Sequence, residues 1–193
     1  SFTLSVLAVN DAPVVDAILD HETDEDQAFE IVLSASDVDG DDLSFSASVD
    51  GNALVSVDGT TLSVVPDLNY SGDIAVTVVV SDGEYSDSDT FVLTVNNLND
   101  APTVNAIANE TIFEDETFEM AVSGNDVDLD DVISFSASVD GNASASVDGT
   151  ALTVVPDLNY SGSIEVTVTA TDIAGETGQA SFTLSVLAVN DAP

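Results

Sequence analysis

The chain of 193 residues has no lysine, no arginine, no cysteine and no tryptophan, and only one histidine. Each absence removes a class of function. Without basic side chains, the 37 Asp plus Glu give a formal net charge of −37, and no carboxylate can form a salt bridge to Lys or Arg within the chain. Nucleic acid and anionic lipid are held by basic contacts, so neither is expected as a partner, and no direct membrane contact is expected. Without cysteine, nothing closes the fold covalently. His21 has no second His or Cys to join it in a zinc or catalytic site, and it is expected in a surface loop. No stretch approaches the ~18 apolar residues of a membrane helix, and no basic-then-apolar leader opens the chain. What is present argues for packed cores. The chain is 44% hydrophobic, with Val, Ile, Thr and Phe recurring in regular runs, which is not the composition of a disordered polyanion. Self-repulsion among the carboxylates opposes any compact state and must be met by metal cations or by salt. Cations are the charged partners such a chain can take.

The sequence repeats. Asn-Asp-Ala-Pro stands at 10–13, at 99–102 and at 190–193, and residues 1–13 are identical to 181–193. Ser44–Ala53 reappears at Ser134–Ala143, and Val64–Gly72 at Val154–Gly162. A motif at domain-length intervals marks the joints of a tandem array. Proline fixes φ and has no N–H, which suits a joint and not a strand interior. The expected organisation is the last strand of a preceding repeat at 1–11, one repeat at 12–100 and a second at 101–193. The pattern opens and closes in mid-repeat, so the chain is expected to be a piece of a longer one. One-residue insertions near Val132-Ile133 and after Asp172 are expected in loops.

Strand periodicity runs throughout, without helical spacing. In the first repeat, strands are expected near 14–19, 29–36, 43–49, 54–57, 61–65, 73–81 and 89–96, with glycine-containing turns such as Asp58-Gly59 between them. Ser1–Val9 alternates in the same way and, lacking a domain to join, is expected as an unsupported edge. Seven strands in a domain of this length indicate an all-β fold: two tandem seven-stranded Greek-key sandwiches, immunoglobulin-like, set end to end. Phe45, Phe91, Phe135, Phe182 and Met120 fall at core positions. Tyr70 and Tyr160 are each expected to anchor a corner between strands, the other reading being an exposed sugar-binding platform.

The acids cluster at turns in both repeats. Asp37-Val-Asp-Gly-Asp-Asp42 follows the second strand, and Asp126-Val-Asp-Leu-Asp-Asp131 does the same in the second repeat. Alternate Asp residues in a turn can aim oxygens at one centre, as Ca²⁺ requires. The other reading of the same residues is turn-forming Asp that caps its own backbone.

Asn97-Leu-Asn-Asp-Ala-Pro102 resembles the linker of cadherin repeats, DxNDNAP. Ala35-Ser-Asp-Val-Asp39 resembles the cadherin AxDxD. Val80-Ser-Asp82-Gly83 and Ala170-Thr-Asp172 resemble its AxDxG. Pro66-Asp-Leu-Asn69, repeated at 156–159, stands where cadherins carry LDRE, and Glu25 stands where they carry the Glu of PEN. The departures are Asn97 for Asp, Asn69 for Glu, a linker without the second Asn, and no Trp for strand exchange. The texture is similar to the cadherin-like tandem repeats of large secreted bacterial adhesins. That resemblance implies an extracellular, cell-surface location and an extender role, holding a terminal ligand-binding domain away from the cell.

Carried over by position, it implies calcium ligands at the central joint from Glu25, Asp67, Asn69, Asn97, Asn99, Asp100, Asp126, Asp128 and Asp172. Half-sites are implied at Asn10, Asp11, Asp37, Asp39 and Asp82, and at Glu114, Asp157, Asn159, Asn190 and Asp191. The implied partners are calcium ions and neighbouring repeats of the same chain, with the chain a monomer. A carbohydrate-binding or self-associating module is the alternative. An enzyme is not expected, since acids duplicated at every repeat end are placed as joints are placed and not as one catalytic cleft.

Overall fold

The computed structural model describes residues 2–5, 9–128 and 132–190. It divides the chain into two units, Ser1–Leu98 and Asn99–Pro193. All regular structure among the described residues is β.

The first unit contains β1 (Val14–Val15), β2 (His21–Asp24), β3 (Phe29–Val32), β4 (Ala35–Ser36), β5 (Ser44–Val49), β6 (Ala53–Asp58), β7 (Thr61–Pro66), β8 (Gly72–Ser81) and β9 (Ser86–Asn96). A four-stranded sheet runs β2-β9-β8-β5 and a three-stranded sheet β3-β7-β6, with β1 and β4 a short antiparallel pair. The long hairpin β8–β9 buries alternate residues Ile74, Val76, Val78 and Val80 against Phe91, Leu93 and Val95. From the other sheet, Leu62 and Val64 meet them. Each such side chain contributes about 1.5–3 kcal/mol on burial. The expected core holds: Phe45 and Tyr70 pack against this cluster, and the Tyr70 hydroxyl donates to the Asp73 carbonyl at 3.0 Å, fixing the corner before β8.

The second unit repeats the plan with β10 (Thr103–Val104), β11 (Glu110–Phe113), β12 (Phe118–Ala121), β13 (Gly124–Asn125), β14 (Ser134–Val139), β15 (Ala143–Asp148), β16 (Ala151–Pro156), β17 (Gly162–Thr171) and β18 (Thr177–Leu187). Its sheets run β11-β18-β17-β14 and β12-β16-β15. Met120 and Phe135 pack against its buried cluster, which includes Phe182. Val132-Ile133 and the residues after Asp172 lie between strands, as the loop insertions require.

Four sequence expectations differ. The strand near 29–36 is divided between β3, which pairs with β7, and β4, which pairs with β1. The strand near 14–19 is split: β1 pairs antiparallel with β4, while β2 pairs parallel with β9, so the chain changes sheets between them. The departing backbone is held by carboxylates. Val15 N–H donates to Asp87 Oδ2 at 3.0 Å and Ile18 N–H to Asp89 Oδ2 at 2.7 Å. His21 is not in a loop. It lies half-buried in β2, its ring 4.9 Å from that of Phe29 and 5.9 Å from that of Phe91. Finally, residues 2–5 are in no strand, although the identical residues 182–185 lie within β18. In β18 that sequence is flanked by β17 and β11, whereas among the described residues no strand pairs with 2–5. Residues 1 and 6–8 of that expected strand lie outside the described residues.

Candidate metal centres

At one end of the first unit, three segments converge: residues 9–13 entering β1, the loop after β4 and the loop after β8. Asp37 organises the middle one. Its Oδ1 accepts the backbone N–H groups of Asp39 (2.8 Å), Gly40 (2.9 Å) and Asp41 (3.3 Å). This is the backbone-capping behaviour of a turn Asp. It leaves Oδ2 buried and without a hydrogen-bond partner. Asp11 N–H donates to Asp39 Oδ2 at 2.8 Å, and Asn10 Nδ2 donates to Asp82 Oδ2 at 2.9 Å. Asp82 Oδ1 accepts the N–H groups of Tyr85 and Glu84. These bonds, Tyr85 first and then Glu84 and Asn10, hold the Asp82 carboxyl below its ordinary value against the opposing loss of hydration. Asp41 is pushed the other way, by loss of hydration and then by the charges of Asp37, Asp39, Asp82 and Asp42. Asp37, Asp39 and Asp41 each offer a carboxylate oxygen within 4.8 Å of the others. The five residues expected here, Asn10, Asp11, Asp37, Asp39 and Asp82, thus form one connected cluster.

The second unit builds the same constellation. Asn99 Nδ2 donates to Asp172 Oδ2 at 2.9 Å, Asp100 N–H donates to Asp128 Oδ2 at 2.7 Å, and Asp128 N–H donates to Asp126 Oδ1 at 3.0 Å. Asp172 is 6% exposed, one of the two buried charged residues in the described structure. The Asn99 amide, followed by the backbone N–H groups of Glu176, Gly175 and Ala174, holds its carboxyl below the ordinary value despite its burial. Asp100 Oδ2 and Asp126 Oδ2 are buried without a hydrogen-bond partner.

The other buried charge is Glu25, 4% exposed, at the opposite end of the first unit. Its Oε1 accepts the N–H of Leu98. Asn69 N–H donates to Asp26 Oδ1 at 2.9 Å, and Ser71 Oγ donates to Asn97 Oδ1 at 3.3 Å. Asp67 is joined through its backbone, to Asn52 and Tyr70, with its carboxylate at the surface. In the second unit Glu114 Oε1 accepts Val189 N–H, and Asn159 N–H donates to Asp115 Oδ1 at 3.0 Å. Asp157 repeats the backbone contacts of Asp67, and Asn190 is exposed at this end. Asp191 lies outside the described residues.

Asp26 and Asp115 were not among the sequence candidates. Both take positive φ, 58° and 67°, and both orient the loop that carries Asn69 or Asn159. The signal was present: a Glu-Asp pair at 25–26 recurs at 114–115.

The donor set consists of carboxylate, amide and carbonyl oxygens. That suits a hard cation, and Ca²⁺ in particular takes six to eight oxygens at ~2.3–2.6 Å. Buried carboxylate oxygens without a donor are costly, and this chain has no Lys or Arg to pair with them. The residues therefore fit a divalent cation.

This geometry, two sandwiches in tandem with acidic loops at their ends, defines a cadherin- and immunoglobulin-like repeat protein. The bacterial Ig domain family model matches residues 10–96 and 99–185, and the chain belongs to that family. Among solved structures it is similar to human Protocadherin-24 EC1-2, with a TM-score of 0.53 and 18% identity over 94% of this chain and 99% of that one. It is also similar to mouse Cadherin-23 EC22-24, with a TM-score of 0.50 and 20% identity over 92% of this chain and 65% of that one. An endo-fucoidan hydrolase from glycoside hydrolase family 107 matches at a TM-score of 0.39 and 17% identity; 93% of this chain spans 29% of that one. At these identities the likeness is one of fold. No curated protein sequence matches the chain.

Proposed function

We propose that the chain is a calcium-rigidified extender segment of a bacterial cell-surface adhesin, an extracellular and non-enzymatic spacer that carries a terminal ligand-binding domain outward. One observation carries the reading. Leu98 is bonded through its N–H to Glu25 of the first unit, and the next residue, Asn99, is bonded through its side chain to Asp172 of the second. Consecutive linker residues are thus tied to the buried carboxylate of each unit.

In this reading calcium is held by Glu25, Asp67, Asn69 and Asn97 from the first unit and by Asn99, Asp100, Asp126, Asp128 and Asp172 from the second. Asn10, Asp11, Asp37, Asp39 and Asp82 make an equivalent half-site for a preceding repeat. Glu114, Asp157, Asn159, Asn190 and Asp191 make one for a following repeat. The ion supplies positive charge where carboxylates otherwise repel. The orphaned oxygens of Asp37, Asp100 and Asp126 support this role, as does the domain-length repetition of the motif. The chain's own residues hold the loops in shape: Asp37 and Asp172 cap backbone N–H groups, and Asn10 and Asn99 fix the rotamers of Asp82 and Asp172.

The test is titration calorimetry with calcium on the chelated chain. Saturable binding with Kd of ~0.1–1 mM or tighter, losing the share of the second unit's loops on Asp126→Asn with Asp172→Asn while the half-site of Asp37, Asp39 and Asp82 still binds, supports the reading. Heat that disappears in high sodium chloride and is indifferent to those substitutions overturns it.

A further inference from the structure

Strained backbone is collected in one network in each unit. Among the described residues, the non-glycine residues with left-handed φ are Asp26 (58°), Asn52 (58°) and Asn69 (55°), then Asp115 (67°), Asn142 (58°) and Asn159 (58°). The second three stand at the positions of the first three. A residue with a Cβ adopts this region at a cost, which persists only where its surroundings hold it, and such residues gather at ligand clamps. Hydrogen bonds join them. The Asn52 carbonyl accepts the Asp67 N–H at 2.8 Å, the Asp67 carbonyl accepts the Tyr70 N–H at 3.0 Å, and the Asn69 N–H donates to Asp26 Oδ1 at 2.9 Å. In the second unit the same three bonds measure 2.8, 3.0 and 3.0 Å. Asp26 is where this network meets the Glu25 turn. The Glu25 N–H donates to the Asn96 carbonyl at 2.9 Å and its Oε1 accepts the Leu98 N–H, so Glu25 is fixed to the linker. Asp67 and Asn69 sit on a separate loop, Asn69 being 43 residues on from Asp26. The Asp26–Asn69 bond ties the loop to the turn, and Ser71 Oγ ties it to Asn97 Oδ1 at 3.3 Å. In the second unit Ala188 stands in the position of Asn97, and the tie from Asn159 to Asp115 is kept.

We propose that Asp26 and Asp115 are positioning residues, which set the calcium affinity of the end where the chain leaves each unit without themselves binding the ion. The proposal rests on the calcium reading above. Each holds the loop of Asp67 and Asn69, or of Asp157 and Asn159, against the turn that carries Glu25 or Glu114. An ion that takes oxygens from two segments is bound more tightly when those segments are already fixed to one another, because less freedom is lost on binding. The task needs a short side chain that tolerates left-handed φ and offers one acceptor oxygen to a backbone N–H. Asp and Asn both meet that need, and glycine meets only the first half of it. Charge is not part of the task, which separates these two residues from the carboxylates that hold the ion.

The experiment is a calcium titration of the whole chain in constant high sodium chloride, followed by small-angle scattering, whose midpoint reports the joint after Asn97. Asp26→Gly accepts the left-handed turn but lacks the acceptor, and it raises the midpoint at least ~10-fold, as does Asp26→Ala. Asp26→Asn loses the same charge and keeps the acceptor, and it restores the wild-type midpoint. Asp89→Ala removes another carboxylate of the first unit that accepts a backbone N–H, that of Ile18 at 2.7 Å, and it leaves the midpoint unchanged. Ala180 already stands at that position of the second unit. Melting in chelator checks that each variant is folded, and amide exchange in chelator reads the clamp without the ion: the Asn69 N–H exchanges faster in Asp26→Gly and as in wild type in Asp26→Asn. A wild-type chain whose scattering ignores calcium overturns the calcium reading and this proposal with it. A wild-type chain that responds, with Asp26→Gly responding at the same calcium, overturns the proposal alone. So does an Asp26→Asn midpoint shifted as far as that of Asp26→Gly, or an equal shift by Asp89→Ala.

Discussion

Asp100 divides its work between backbone and side chain. Its N–H is satisfied by Asp128, while its Oδ2 is buried with no partner. Asp100→Ala keeps the first and removes the second. The substitution is therefore expected to raise, or leave unchanged, the melting temperature of the chelated chain, since an unpartnered buried acceptor costs about 1–3 kcal/mol. In calcium the same substitution is expected to lower it, because a ligand is lost. Calorimetry in the two conditions reads the change of sign; destabilisation in both would show that the carboxylate is structural without the ion. Asp172 gives a pH dependence. Its folded carboxyl is held below the ordinary value, so its contribution is fully present above the ordinary carboxylate range. It is lost as pH falls below that range, through the depressed value. Asp172→Asn in chelator should flatten this part of the acid limb of a melting-temperature profile; an unchanged limb would contradict the assignment. Asp82 behaves in the same sense in the first unit.

The elements at which each unit begins are fastened differently. In the first unit the carboxylate of Asp87 takes the N–H of Val15. In the second, Gly178 stands in the position of Asp87, and a Cβ there would overlap the Pro102 carbonyl. Gly178→Ala must displace that backbone, so it is expected to lower the second unit's transition by several degrees and leave the first unit's alone; a shift in both transitions, or in neither, would contradict this. Such fastening was not legible in the sequence. Alternation and turn glycines placed β5 to β9 closely, because those strands follow local period and hairpin chemistry. The split of the first strand was hidden because it depends on partners some 70 residues away, Asp87 and Asp89. The sequence Phe-Thr-Leu-Ser makes the point most directly. At 182–185 it is strand and at 2–5 it is not, because a strand is a property of its neighbours as well as of its own alternation. His21 was misjudged for the same reason: only the fold brings it to Phe29 and Phe91.

At the scale of the whole chain, the acidic loops were legible because they recur at one domain length, and recurrence separates a built cluster from scattered surface charge. Asn10, Asp11, Asp37, Asp39 and Asp82 are linked by hydrogen bonds and chain adjacency in the first unit, as are Asn99, Asp100, Asp126, Asp128 and Asp172 in the second. Asp26 and Asp115 escaped because their task is to hold a backbone turn, which no ligand motif encodes. The central claim is that calcium at these loops makes a stiff array from separate sandwiches. Monovalent salt screens exposed carboxylates but cannot supply an oxygen-coordinated centre. Magnesium, which demands six short ligands and keeps its waters, is expected to substitute poorly. The most direct measurement is small-angle scattering of the chain in constant high sodium chloride while calcium is added and then chelated. The account predicts that calcium converts a broad distribution of interdomain distances into a narrow, extended one, with a midpoint at ~0.1–1 mM, and that chelator reverses it. Scattering curves that are the same with calcium and with chelator, at equal ionic strength, would contradict it.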